Sequence, residues 1–156
     1  MYKSKYFKPH ELVDPVTYES YHNKDDIYSL FDESLLIALD WIKENIAKEK
    51  RMIVNNWKFA TKGETVFKWR GIRTLCYEKF NKYSMHALQS GKVKAIDFHI
   101  EGFSAEKVRQ LILDNEGNKN LVGIKRMEDG VNWVHIDSKI TDKKNPTGRR
   151  IYLFKA

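Results

Sequence analysis

The chain has 156 residues, of which 42% are hydrophobic, 13% aromatic and 31% charged, with 3 Pro and 8 Gly. That is one domain's worth of sequence with enough apolar material for a core, and it excludes disordered, collagen-like and low-complexity classes. The formal charge of +7 favours encounter with a polyanion, whether nucleic acid, anionic lipid or an anionic cell-wall polymer, and does not choose among them.

In chain order, the basic N-terminus from Met1 to Pro9 has no apolar run behind it and no small-residue cleavage site, so synthesis in a cytoplasm without a secretory signal is expected. From Leu30 to Lys48, Phe31, Leu35, Leu39, Ile42 and Ile46 recur three or four apart behind the capping residue Asp32, which predicts a helix. Its apolar stretch from Leu35 to Ile42 is interrupted by Asp40 and falls far short of the roughly 20 residues of a membrane span. Arg51 to Val54 reads as a short strand, followed by an irregular segment rich in aromatics, and Thr74 to Tyr83 as a short helix. Lys92 to Ile100 alternates, with Ile96, Phe98 and Ile100 on one face and Ala95, Asp97 and His99 on the other. Ser104 caps a second amphipathic helix that runs to Asp114. Leu121 to Met127 and Val131 to Asp137 read as strands joined by a tight Glu128-Asp129-Gly130 turn, with Trp133, His135 and Asp137 on one face of the second. Arg150 to Phe154 is a last strand. The sum is a single α+β domain over residues 1–156, a small antiparallel sheet with two or three helices.

Cys76 is the only cysteine, so an intrachain disulfide is impossible and any metal site must be built from His and carboxylates. Of the five histidines, His10 and His22 read as surface residues of the N-terminal segment. His86 precedes the strand carrying Asp97, and His135 lies within another strand that also keeps its polar residues on one face. If these strands are neighbours, two imidazoles and a carboxylate converge, which is a ligand set for a catalytic zinc with one position left open for water. The alternative is scattered structural histidines. The aromatics and the positive charge could instead serve nucleic acid, but no recognised nucleic-acid motif is present and many of the aromatics fall where a core should be, so nucleic acid is not the expected partner.

Ser84-Met85-His86, Gly91, Ala95-Ile96-Asp97 and Asn132-Trp133-Val134-His135 together resemble the signature of the zinc D-Ala-D-Ala carboxypeptidase family of peptidoglycan peptidases, including phage endolysin-like members. That family writes its motifs as Ser-x-His-x-x-Gly-x-Ala-x-Asp and as a short strand ending in Trp-x-His. Phe7 to Val13, Leu35 to Glu44, Trp69 to Thr74 and Glu101 to Ser104 resemble other segments of the family in the right order, so the likeness runs from about Tyr6 to Phe154. The resemblance implies a hedgehog/D,D-peptidase-like fold and zinc on His86, Asp97 and His135. It also implies Arg73 as a cation for substrate or a developing oxyanion, and Ser84 in the substrate pocket. Trp133 is expected to pack in the core beside the metal.

Two departures stand out. The stretch between His86 and Asp97 is four residues longer than in the family motif, an insertion around Gln89 to Lys94, which leaves Asp97 or its strand neighbour His99 as the middle ligand, with Asp97 favoured. Asn132 stands where the family places a Glu or Asp to move the proton, so Asn132 is left to bind substrate, and Asp129 or Glu128 from the turn is the candidate catalytic acid, ordinary turn chemistry being the alternative. Asp137 shares the face of His135 and could orient its imidazole. The expected function is zinc-dependent cleavage of stem peptides or cross-links of peptidoglycan, at the cell wall and in a phage lysis or tail setting. The alternative is a non-hydrolytic zinc-binding or wall-binding module of the same fold.

Overall fold

The computed structural model describes residues 1–88 and 91–155. Gln89 and Ser90, in the segment expected to hold the insertion, lie outside the described residues.

Two short helices that sequence periodicity does not announce open the chain, α1 (Pro9–Leu12) and α2 (Pro15–Ser20). Each starts on a proline, whose fixed φ and missing N–H suit a first helical turn. Asp14 caps α2 by accepting from the Val16 and Thr17 amides. A 3-10 segment, Lys24–Leu30, leads into α3 (Glu33–Ile42), which Asp32 caps through the Ser34 amide at 3.0 Å. The helix expected over Leu30 to Lys48 is therefore shorter. It passes at Lys43 into a π-helical turn that ends where Lys48 takes a φ of 53°. Leu35, Leu36, Leu39 and Ile42 are fully buried, and so, nearly, is Asp40. The first residues of the chain satisfy that buried carboxylate: the Tyr2 hydroxyl and the Lys5 amide each donate to it at 2.7 Å.

Five short strands form one sheet: β1 (Met52–Ile53), β2 (Ala95–Ile100), β3 (Arg126–Glu128), β4 (Val134–Asp137) and β5 (Tyr152–Phe154), in the order β1-β2-β4-β3-β5. Between β2 and β3 lies α4 (Ala105–Asp114), capped by Ser104 as expected. Ile96, Phe98, Met127, Val134 and Ile136 close a single core with Val108 and Ile112 of α4 and with α3. The α+β class is as read from the sequence, but the sheet is not wholly antiparallel, because β5 runs parallel to β3. After β4 the chain crosses over its neighbour and returns on the far side of β3. A strand reversed relative to β4 is necessarily parallel to β3.

Three expected elements change. Thr74 to Tyr83 forms no helix; it is a run of separate turns closed by Tyr77 N–H to Thr74 O and Phe80 N–H to Tyr77 O, both at 2.9 Å. Leu75 and Tyr83 are 85% and 74% exposed, so this segment has no apolar face to bury and tertiary packing does not select a helix. The strand expected from Leu121 begins only at Arg126, because residues before it pack on α3. At Gly123 an added Cβ would stand 2.5 Å from the Ser34 carbonyl oxygen. The β3–β4 connection runs from Asp129 to Trp133 and is no tight turn, so Val131 and Asn132 are not in a strand. The buried Arg109 guanidinium takes the Val131 and Trp133 carbonyls, both at 3.1 Å, and so withdraws them from any ladder.

Candidate metal centre

Asp97 and His135 are directly opposed in the β2–β4 pairing, and Ala95 opposes Asp137. Strand alternation therefore brings the polar faces of both strands together on the side of the sheet away from Phe98 and Ile136. His86 reaches the same point from the turns. Its backbone is held by Met85 O, which accepts from Lys94 N at 2.8 Å, and by its own carbonyl, which accepts from Arg73 N at 2.9 Å. The ligand atoms of His86, Asp97 and His135 lie within 4.8 Å of one another, all three side chains are buried, and together they could hold a metal ion.

Each of the three has its far atom occupied. His86 Nδ1 donates to Gly71 O at 2.7 Å, which leaves Nε2 as the ring atom aimed at the centre. Nε2 is buried and has no hydrogen-bond partner among the described residues, although Asp97 Oδ1 stands 3.2 Å away. Asp97 gives Oδ2 to Arg73 Nη2 at 2.8 Å and turns Oδ1 toward both imidazoles, 2.7 Å from His135 Nδ1. His135 Nε2 meets Asp137 Oδ2 at 3.0 Å, and Asp137, fully buried, is gripped by Arg126 through Nε at 2.8 Å and Nη2 at 2.7 Å. A buried imidazole nitrogen without a hydrogen-bond partner, beside a carboxylate oxygen and a second imidazole each held from behind, is an arrangement that could hold a cation.

The same groups shift one another's titration. Burial alone would push the Asp97 carboxyl up, but the His86 and His135 rings outweigh it and hold the group well below the usual carboxylate range. Burial would lower His135, yet Asp137 and then Asp97 raise it to about 9. Asp137 is likewise held low, against its burial, by His135 and Arg126. Two carboxylates thus stabilise positive charge on the His135 ring.

The three ligands open onto a cleft of about 410 Å³ walled by Arg73, Ser84, Arg126, Glu128, Trp133 and Phe154, among others. Of the residues singled out from the sequence, Arg73 is on the wall but is engaged with Asp97 as well as facing the cleft. Ser84 is also there, its Oγ accepting the His86 amide at 3.3 Å, so it serves both turn and wall. Glu128 lies on the wall, on the same face of β3 as Arg126. Asp129 and Asn132 do not: Asp129 belongs to the connecting loop, 3.9 Å from Arg109, and Asn132 is exposed in the same loop. Trp133 is half-buried on the cleft wall and not in the core. His99 is turned away from the centre, against Arg70 and the Phe67 ring, so Asp97 is the residue that meets the two histidines. His22 is exposed as expected, whereas His10 sits in an aromatic cluster with Tyr18, Trp57 and Phe59. Arg126 went unmarked in the sequence; its i, i+2 relation to Glu128 on one strand face was the available signal. No family model, curated protein or solved structure matches this chain.

Proposed function

We propose that this chain is a zinc-dependent peptidase that cleaves peptide bonds of bacterial cell-wall peptidoglycan, of the D,D or L,D type, with the hedgehog/D,D-peptidase-like fold that its motifs resemble. The observation that carries the reading is the buried His86–Asp97–His135 set, whose inward atoms converge on a cleft that also holds an acid and a cation. Imidazole and carboxylate ligands suit zinc, and three protein ligands leave a position open. When bound, zinc would polarise the scissile carbonyl and lower the pKa of water to about 7. The chain's own residues do the rest. Glu128 takes the proton of the attacking water and returns it to the leaving amine nitrogen as the C–N bond breaks. Arg73, held by the Trp69 carbonyl at Nε and by Asp97 at Nη2, presents Nη1 to the substrate carbonyl or carboxylate. Action at the wall, in a phage lysis or tail setting, fits the +7 charge through attraction to anionic wall polymers.

A non-hydrolytic wall-binding module is the second reading, favoured by Asn132 standing where an acid is expected. The two separate on one experiment: metal analysis of the purified protein, with mass spectrometry of peptidoglycan after incubation. About one zinc per chain and new peptide termini are expected, with Glu128→Gln keeping the zinc and losing activity by about 10²- to 10⁴-fold. Zinc without new termini would sink the peptidase reading, and no zinc after incubation with the metal would sink it as well and leave the wall-binding module.

A further inference from the structure

A hollow of about 640 Å³ lies where the end of α3 and its π-helical turn meet α4, and it shares no wall residue with the metal cleft. Buried Ile46 and Ala47 form its floor, and half-buried Trp41, Phe103 and Leu111 its sides. Its rim is the turn that ends the π-helical segment. Lys50 N–H donates to Ala47 O at 2.9 Å and closes four residues, of which the first central one, Lys48, has φ 53° and ψ −120°. Those angles belong to a type II′ turn, which favours glycine at that place. The strained turn is held from one side: Lys48 N–H donates to Lys43 O at 2.7 Å, and the Lys43 ammonium donates to the Lys48 and Lys50 carbonyls. A lysine thus stands where backbone stability alone selects glycine, and strain kept in this way points to a use for the side chain. Lys48 and Glu49 also border a second hollow, of about 520 Å³, that reaches Tyr6, so the turn is the partition between two depressions of one groove.

The chemistry of the walls narrows the occupant. Asn45 and Asn115 spend Nδ2 on the helix backbone, at Trp41 O (2.9 Å) and Leu111 O (2.8 Å), and keep Oδ1 as an acceptor. With the Glu49 carboxylate they offer three acceptors to hydroxyl and amide N–H donors. Lys48, Lys50 and Lys107 supply three ammonium groups, and none of them forms an ion pair among the described residues. The ammonium groups of Lys50 and Lys107 stand 5.2 and 4.8 Å from the Phe103 ring centroid, which leaves the Trp41 indole as the open aromatic face. One stacking face, a set of acceptors and an excess of positive charge match a sugar chain that bears acid groups, because a sugar ring is apolar on its face and rimmed with hydroxyls. A nucleic-acid strand asks instead for a row of stacking platforms, and its phosphates would meet Glu49 in the middle of the wall.

We propose that this groove binds an anionic glycan, with a sugar ring on Trp41, hydroxyl and acylamino N–H groups on Asn45, Asn115 and Glu49, and acid groups against Lys48 and Lys50. The choice of glycan rests on the cell-wall reading and deepens it. The chain would hold the sugar strand of the wall on a surface distinct from the one that meets its peptides.

The test is calorimetric binding of peptide-free glycan strands, prepared from sacculi by enzymatic removal of the peptides, which leaves their lactyl carboxylates free. A neutral oligomer of N-acetylglucosamine and a single-stranded oligonucleotide serve as competitors of other chemistry. Wild-type protein should bind the anionic strands about tenfold or more tightly than either competitor. Trp41→Ala should weaken that binding about tenfold or more. Lys48→Gly should weaken it about fivefold while its thermal midpoint stays at or above that of wild type, since the change removes a contact and a strain together. Affinity unchanged in both variants, or tighter binding of the oligonucleotide or the neutral oligomer, would overturn the site. Because these strands carry no peptide, binding is read without turnover. Strand binding by a protein that releases nothing from sacculi would keep the groove and remove the peptidase, and peptide release by a protein that binds no strands would do the reverse.

Discussion

His86, Asp97 and His135 are each held at the atom that faces away from the centre, by Gly71 O, Arg73 and Asp137 respectively. Such backing fixes ring orientation and tautomer, and its loss typically weakens metal binding 10- to 100-fold without abolishing it. Asp137→Asn is therefore expected to lower zinc affinity by about one to two orders of magnitude, read by competition with a chelator. His135→Ala, which deletes a ligand, should bring metal content to near zero; unchanged content in that variant would remove His135 from the site. A second residue gives a test of acid stability far from the centre. The Thr61 amide, then the Asn56 side chain and Arg51, hold the Glu64 carboxyl down to about 2, below its ordinary 4.5. A depressed carboxyl contributes stability above its unfolded value, so this contribution is complete above pH 4.5 and is lost as pH falls toward 2. The stability gap between wild type and Glu64→Gln in urea melts should accordingly be widest above pH 4.5 and close by pH 2. That Asp97 and His135 share the polar side of the sheet was readable in the sequence, because alternation puts each on the polar face of its strand; joining His86 to them took the motif resemblance. The partners behind them were not, since Arg73 meets Asp97 and Arg126 meets Asp137 only after the strands have paired.

At the scale of elements, long periodic segments were the most readable and short ones the least. The start of α3 at Asp32 and the whole of α4 follow from a cap and an amphipathic stripe. Residues 74–83 share neither, and their turns are set by what packs around Arg73 and His86. Asp14-Pro15 carried a local signal for α2 that a search for apolar periodicity passes over. Two close contacts between elements yield predictions. At Gly71, a Cβ would fall 1.8 Å from the backbone oxygen of Leu12, so Gly71→Ala must push apart the turn that holds His86 and the end of α1. A destabilisation of about 1–3 kcal/mol is expected in denaturant melts, together with weaker zinc binding, because the displaced Gly71 carbonyl is the acceptor for His86. Arg109→Met strips the Val131 and Trp133 carbonyls of their donor. The expected cost is about 1–3 kcal/mol, and activity on peptidoglycan should fall with metal content intact, since Glu128 and Trp133 bracket the freed loop.

For the molecule as a whole, the ligands come from a turn and two strands, so the intact centre exists only in the folded chain. Zinc should therefore raise the thermal midpoint in a concentration-dependent way, by an amount equivalent to about 4 kcal/mol at a thousandfold excess over its dissociation constant, and a chelator should reverse the shift. The overall class and the two principal helices could be anticipated from patterning. The parallel β5 could not, because the direction of a last strand depends on which edge of the sheet the returning chain finds.

The pairing of Asp97 with His135 has one more consequence. The β2–β4 ladder is only four residues long in β4, and its register is set by the buried face that Val134 and Ile136 share with Ile96 and Phe98. A slip by one residue would turn Val134 and Ile136 into the cleft and His135 and Asp137 toward the core, which destroys the ion site in the same stroke. A metal ion held by these residues would therefore add to the selection of the correct alignment of the two strands during folding, acting as a proofreader of sheet assembly.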